Sequence, residues 1–490
     1  MITQIEIDGF KTFKDFKVEL APFQVIVGPN GSGKSNLFDA LHLLSRLAVD
    51  DIATAFQGLR GDVSELFTKL SNSITYDNIR IAVEMLVDRR TQDDFGKSTD
   101  LIFTRLRYEL EITQGVDTYG LERLYVTYES LKSIPPAEDN WSKRNGLLRP
   151  NNWIPEPNNR VPAYIQGAIP FIATDKPGET GKATIHLYIE EHPFEHRGSI
   201  PHQADAAQRT VLSSATSITG FSHAFAAREE LLSLSFFHLN PEALRQPSLT
   251  KGPRSLSSDG SNLPTTLARM RAEDKFALAD VSRDMANLVR GIFKVRVEQD
   301  KASDKYVIYG ETSDQRTFSA QVLSDGTLRL LALATLRNDP QFHGTLCLEE
   351  PEDGVEPLHL KVMARVLREM TTDFRDPQQV EEPLRQVLVT SHSPAFISLS
   401  EVFDSLLFTH LVTLGASGQG SLPVKATRME QVVTPQTQAH QQPDHEGEPS
   451  TEVYTIDMVR QYLSSNDLNH ARNQLKKARI HSIERKSNAS

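Results

Sequence analysis

Eight residues constrain this chain more than any others. Gly28-Pro29-Asn30-Gly31-Ser32-Gly33-Lys34-Ser35 satisfies the pattern G-x-x-x-x-G-K-[ST] without a mismatch. The context is also right. Phe23–Val27 before it is a short apolar run rich in β-branched residues, which reads as a buried strand. Asn36–Leu47 after it carries Leu37, Ala40, Leu41 and Leu44 at helical spacing. Glycines let the backbone wrap closely, so that successive N–H groups point at phosphate oxygens. The helix N-terminus adds partial positive charge. Lys34 is placed to reach β- and γ-phosphates, and the Ser35 hydroxyl to ligate Mg²⁺. The competing reading, a glycine-rich turn at a helix cap, needs neither the lysine nor the strand.

A strand–loop–helix of this kind belongs in an α/β sheet, and the rest of the chain supplies one. Gly344–Leu348 and Gln386–Thr390 read as short buried strands with a helix, Leu358–Met370, between them, so a parallel sheet is expected. The first strand runs into Glu349-Glu350-Pro351-Glu352, which places two carboxylates at the sheet's C-terminal edge, where ligands bind in open α/β folds. Glu349 is a candidate to hold Mg²⁺ through water, and Glu350 to take a proton from an attacking water. A solvated acidic loop would be the plainer reading if no phosphate loop accompanied it. Leu323-Ser324-Asp325-Gly326-Thr327-Leu328-Arg329 precedes an apolar helix. Ser324 can cap it and Gly326 allows close backbone approach, which suits either an anion site or an ordinary N-cap. Thr390-Ser391-His392-Ser393-Pro394 puts a histidine at a strand's C-terminal end, able to bond a γ-phosphate, although a lone loop histidine is more often only satisfied locally.

Elsewhere, Met1–Leu20 reads as a pair of strands with a turn near Gly9–Thr12. Strand-like stretches recur at Ile79–Leu86, Leu101–Ile112 and Leu121–Ser130, suggesting an antiparallel sheet. Ile134–Pro201 contains ten prolines and reads as a loop-rich insertion. Gln203–Phe237 and Leu263–Phe293 regain helical periodicity but sustain no heptads, so no coiled-coil arm is expected. Thr434–Ser450 is polar and linker-like, and the basic cluster Lys476–Lys486 follows.

The order of these motifs resembles the ABC-type ATPase heads of the RecF/SMC group, and more closely the stand-alone RecF-like AAA-family ATPases of bacteria and archaea. Ile5–Phe13 resembles the group's first strand and turn, Gly28–Ser35 with Asn36 its Walker A, Leu323–Arg329 its signature, Leu346–Glu350 its Walker B and Thr390–Pro394 its switch-histidine loop. His238–Gln246 and Asp259–Leu263 resemble family linker motifs. The likeness covers about Met1–Ser130 and Leu231–Leu411. It implies an α/β P-loop head with a mixed core sheet, an antiparallel β lobe and an inserted helical and loop-rich lobe. It also implies a Mg²⁺-dependent ATPase in which two copies sandwich two ATP molecules. Ser324 and Gly326 of one copy would meet the γ-phosphate held by Lys34 of the other. Glu350 would activate water and His392 would sense the γ-phosphate. Gln57 and Gln166 are rival candidates to link Mg²⁺ to an adjoining lobe. Three departures stand out: Asp325-Gly326 replaces a glycine pair, Glu349 stands where many relatives carry Asp, and Glu356-Pro357 stands where His-Pro is common.

The expected organisation is therefore a composite head. Residues 1–130 form its N-terminal half, 131–305 an inserted lobe, 306–430 its C-terminal half, and 431–490 a linker with a basic helix. The functional expectation is ATP-driven dimerisation coupled to binding or repair of double-stranded DNA. The alternative is the ATPase subunit of an anti-phage defence system that gates a separate nuclease or effector. The chain itself offers no acidic nuclease pattern after His392, since Asp457 and Asp467 stand alone. About 290 residues between Walker A and signature argue against a transporter subunit. A net charge of −11 argues against a generally DNA-coating surface and leaves room for a local basic patch. No apolar run reaches the ~18 residues of a membrane span. Met1–Phe10 lacks a secretory pattern, and the single Cys347 cannot form an internal disulfide, so a cytoplasmic setting is expected.

Overall fold

A computed structural model describes residues 1–69, 75–116, 120–145, 147, 168–175, 183–192, 195–204, 207–253, 255–289, 291–414, 424–433 and 454–464. Its centre is a seven-stranded sheet in the order Ser235–Phe237, Gly344–Glu349, Arg385–Ser391, Phe23–Val27, Leu406–Leu414, Val424–Val433, Tyr454–Thr455. The first five strands are mutually parallel, and Val424–Val433 closes antiparallel on Leu406–Leu414. Phe23–Val27 is buried along its whole length, as expected of a strand covered on both faces.

The two faces meet different layers. Ile26, Cys347, Leu388 and Leu407 join a core with the helix Lys34–Leu47 and an antiparallel sheet. Val25, Val27, Leu346, Leu348, Val387 and Val389 join a second core with the helices Leu263–Glu273, Ala277–Leu288, Asp325–Asn338 and Pro357–Glu369. Alternation along each strand therefore divides its residues between two cores. Truncating a fully buried leucine such as Leu41 would cost about 2–5 kcal/mol.

The antiparallel sheet has eight strands, in the order Glu195–Gln203, Thr184–His192, Pro170–Asp175, Glu122–Ser133, Arg105–Val116, Asn78–Leu86, Ile2–Asp8, Phe16–Glu19. The buried Gln386 side chain joins the two sheets. Its Nε2 donates to Ile2 O at 2.8 Å and Ala21 O at 3.0 Å, while its Oε1 accepts from Ile2 N and Thr345 Oγ1 at 2.9 Å each. Every hydrogen-bonding position of this buried amide is used, which fixes how the sheets meet.

Three expectations need correction. Ile134–Pro201 is not simply an inserted loop, because Pro170–Asp175, Thr184–His192 and Glu195–Gln203 extend the N-terminal sheet. The prolines misled because they sit where a sheet tolerates them: Pro170 opens its strand and Pro201 lies on the edge strand, opposite His186. Nor do the described residues of 131–305 form one separate lobe. Ser235–Phe237 pairs with Leu346–Leu348 in the central sheet. The helices of 263–288 pack against a small sheet that continues past 305, formed by Ser248–Leu249, Ile292–Asp300, Lys305–Thr312 and Thr317–Ser319. Third, Gln203–Phe237 is α-helical only over Ser222–Leu232. Gln166, Thr434–Ser450 and Lys476–Lys486 lie outside the described residues. Among the described residues, no helix is long and apolar enough to cross a membrane.

Candidate active site

The site grows from three neighbouring strands whose C-terminal ends lie level. Arg385–Ser391 runs between the other two, with Thr390 opposite both Glu349 and Ile26, and Ser391 opposite Val27. The chain leaving each strand at this edge is the phosphate loop, the acidic turn or the histidine loop. Register alone thus brings together residues some 360 positions apart. A cleft of about 340 Å³ opens there, lined by Asn30, Gly31, Gly33, Lys34, Ser35, Asn36, His238, Glu349, Glu350 and Thr390.

The phosphate loop is braced from outside. Thr427 Oγ1 donates to Ser32 O at 3.0 Å and lies 2.7 Å from Thr12 Oγ1, which accepts from Asn36 Nδ2 at 2.8 Å. Gly33 has φ 105°, and a Cβ there would meet Thr427 Oγ1 at 2.3 Å, so backbone conformation and space both demand glycine. A Cβ on Gly28 would meet Thr409 O at 2.4 Å. Lys34 is buried, and its Nζ donates to Gly28 O at 2.7 Å and Pro29 O at 3.1 Å. Burial holds its ammonium below the usual lysine range, and Glu350, Glu352 and Glu349 oppose that shift. Ser32 Oγ is buried and has no partner among the described residues. The strapped loop, the desolvated ammonium and the orphaned hydroxyl suit a phosphate chain.

On the acidic side, Glu349 accepts from Arg60 Nη2 at 3.2 Å and lies 3.6 Å from His238 Nδ1. Arg60 also pairs with Asp39 on the loop-bearing helix, and Lys11 Nζ donates to the other oxygen of Asp39 at 2.7 Å. Glu350 lies 2.8 Å from His392 Nδ1. An ionised carboxylate only accepts, so Nδ1 carries the proton when Glu350 is charged. Glu350 adopts φ 46°, a left-handed conformation that costs a side-chain-bearing residue about 1–3 kcal/mol. Glu352 is buried and bonded to Ser391 Oγ, and burial holds its carboxyl above the usual range despite that bond. Cys347, buried in the acidic strand, has its thiol pushed up by burial.

Lys34, Ser35, Asn36, Glu349 and Glu350 therefore share one cleft, with His392 on Glu350. Gly28, Pro29 and Ser32 of the phosphate loop are not among the residues that line the cleft. Ser324 and Gly326 are not in the cleft. Ser324 is exposed at the N-terminus of Asp325–Asn338, and Gly326 is buried against Gly354 O and Val355 Cα, at 2.4 and 3.0 Å from a hypothetical Cβ. Gln57 is exposed at the end of Ile52–Gln57 and does not line the cleft. The sequence reading passed over Arg60 and Thr427, which belong to no short motif, and gave Thr12 no role beyond the turn in Ile5–Phe13; only the fold shows that Thr12 and Thr427 converge.

A model described as "AAA ATPase domain" matches residues 1–134. An AAA-domain model whose description names the AbiEii toxin and a Type IV TA system matches residues 155–398. Among curated proteins, the chain is 29% identical over 202 residues to structural maintenance of chromosomes protein 4 of Dictyostelium discoideum, covering 39% of this chain and 13% of that protein. It is 31% identical over 107 residues to the chromosome partition protein Smc of Methanocaldococcus jannaschii, covering 19% and 9%. The chain thus spans only a small part of these relatives. Solved structures similar to it include an SmcHead bound to the C-winged helix domain of ScpA, at TM-score 0.46 and 12% identity over 89% of this chain and 99% of that one. The SMC head domain from Thermotoga maritima follows at TM-score 0.38 and 12% identity over 88% and 99%. The two matched models fall on the two halves of the molecule that meet at the cleft, and the strand order places their motifs side by side: the chain carries an AAA-type ATPase domain assembled from both halves.

Proposed function

We propose that the chain binds ATP with Mg²⁺ in this cleft, hydrolyses it, and pairs with a second copy around the nucleotide, coupling closure to the binding or repair of double-stranded DNA. The observation that carries this reading is the convergence of the phosphate loop, Glu349, Glu350 and His392 on one sheet edge. Backbone N–H groups of the loop and Lys34 hold the phosphates, with Lys34 leaving two carbonyls to do so. Ser35 and Glu349 are the residues to hold Mg²⁺, which neutralises phosphate charge when bound. Glu350 accepts a proton from water attacking the γ-phosphorus, and the P–O bond to ADP breaks. The His392 imidazole orients the Glu350 carboxylate and meets the γ-phosphate side of the site. Ser324, exposed outside its own cleft, is the surface offered to the nucleotide of a second copy, and the buried Gly326 behind it lets that first turn pack against Gly354.

Glu350→Gln tests the scheme. It should lower the hydrolysis rate by about 10²–10⁴-fold, the usual contribution of a general base, while ATP drives the variant into a stable dimer. Phosphate release and sedimentation velocity read the two effects. Hydrolysis at the normal rate would remove Glu350 as the base, and a monomer with ATP bound would remove the sandwich.

A second reading has one observation behind it: the description of the model matching 155–398 names a toxin of a Type IV TA system. On that reading the nucleotide state gates a separate nuclease or effector rather than contact with DNA. ATP-dependent, salt-sensitive DNA binding by the purified chain would favour the first reading.

A further inference from the structure

Glu350 is one of five described non-glycine residues with positive φ, the others being Lys11, Asp15, Asp304 and Gln315. Those four lie in connections between strands, and Glu350 alone lines the cleft. A strained backbone persists where its surroundings over-determine it. At Glu350 four neighbours do so: its N–H donates to Thr390 O at 3.0 Å, its carboxylate meets His392 Nδ1, and its carbonyl accepts from Asp353 N at 3.2 Å and from Arg329 Nη1 at 3.1 Å.

Only the arginine comes from outside the acidic and histidine loops. It sits in the second turn of Asp325–Asn338, whose first turn lies flush against the acidic turn because Gly326 has no side chain to hold it off Gly354. Arg329 Nε is buried without a partner among the described residues. That costs stability, and an arginine present only for packing would relieve it by turning toward solvent. The guanidinium is instead committed to one main-chain oxygen.

We propose that Arg329 is a positioning residue for hydrolysis. By holding the Glu350 carbonyl it keeps the backbone in the left-handed conformation that aims the carboxylate into the cleft. The helix that presents Ser324 outward thereby also sets the base of its own site. This inference rests on the reading of Glu350 as the base.

The test compares wild type, Arg329→Met and Arg329→Lys in the full chain. Affinity for ATP is read by fluorescent-nucleotide titration, turnover by phosphate release at saturating ATP, and folding by thermal melting. Arg329→Met keeps the packing of the stem and removes the donor. Its turnover should fall on the order of 10²-fold with ATP affinity and melting temperature unchanged, because a small misplacement of a reacting group suffices for a loss of that size. Arg329→Lys, which restores a donor, should recover part of the turnover, and it carries the comparison if the methionine variant does not fold. Normal turnover in Arg329→Met would overturn the proposal. So would an equal loss of turnover, affinity and melting temperature in both variants, which is the mark of packing alone. A wild-type chain that neither binds nor hydrolyses ATP would instead overturn the site itself.

Discussion

Two helices begin with a glycine near the same sheet edge, and their first turns are finished in opposite ways. Lys34–Leu47 starts after Gly33, with no side-chain cap and no acid in its first turn. Asp325–Asn338 starts after Ser324, whose hydroxyl accepts from Thr327 N at 3.3 Å, and Asp325 in its first turn is paired with Arg245. Every helix N-terminus carries N–H groups without partners inside the helix. The first helix leaves them to whatever enters the cleft. The second satisfies part of its own need and stays outside the cleft. The first end thus leaves its donors open to a ligand while the second uses part of its own, as expected if only the first holds nucleotide in a lone chain.

The largest effect should follow from emptying the first end of its charge. Lys34→Ala should weaken ATP binding by about 100-fold or more, since it removes a desolvated ammonium from the phosphates. Titration with a fluorescent nucleotide measures it, and unchanged affinity would erase the contrast between the helices. Ser324→Arg comes next. It should leave ATP affinity intact and abolish the ATP-dependent dimer of the Glu350→Gln background, read by sedimentation velocity. Loss of nucleotide binding instead would show that the second end supports the site within its own chain. The smallest effect belongs to Ser324→Ala, which within a lone chain removes only a cap. It should lower stability by about 0.5–2 kcal/mol in urea unfolding and leave binding unchanged.

The contrast also separates what residues alone could tell from what needed the fold. The phosphate loop was legible because its chemistry is local: Phe23–Val27 is the strand the sequence suggests, and the helix after it starts two residues earlier than expected. The acidic strand was equally legible, since Gly344–Glu349 differs from its expected span by one residue. Ser324 and Gly326 stayed ambiguous for a physical reason. A serine cap looks the same whether or not anything outside the chain meets it, and the observed need for glycine at 326 is met by Gly354 in the same chain. The three added strands of the N-terminal sheet were hidden because proline counts against a strand interior but not against its start or an edge. Arg60 and Thr427 were hidden because they act across long separations, where no spacing rule applies.

The brace on the phosphate loop bears on how the protein is made. Thr12 and Thr427, which meet at Ser32 and Asn36, are separated by 415 positions. A ribosome that has finished the loop and its helix must still add nearly four hundred residues before the second threonine emerges. Contacts of such sequence separation form late, because the intervening chain must first be ordered. A nascent chain carrying the entire phosphate-loop motif would therefore lack the strap that shapes it. The loop then gains its strap only once Thr427 has been made, and a chain truncated before Thr427 carries the motif without its support.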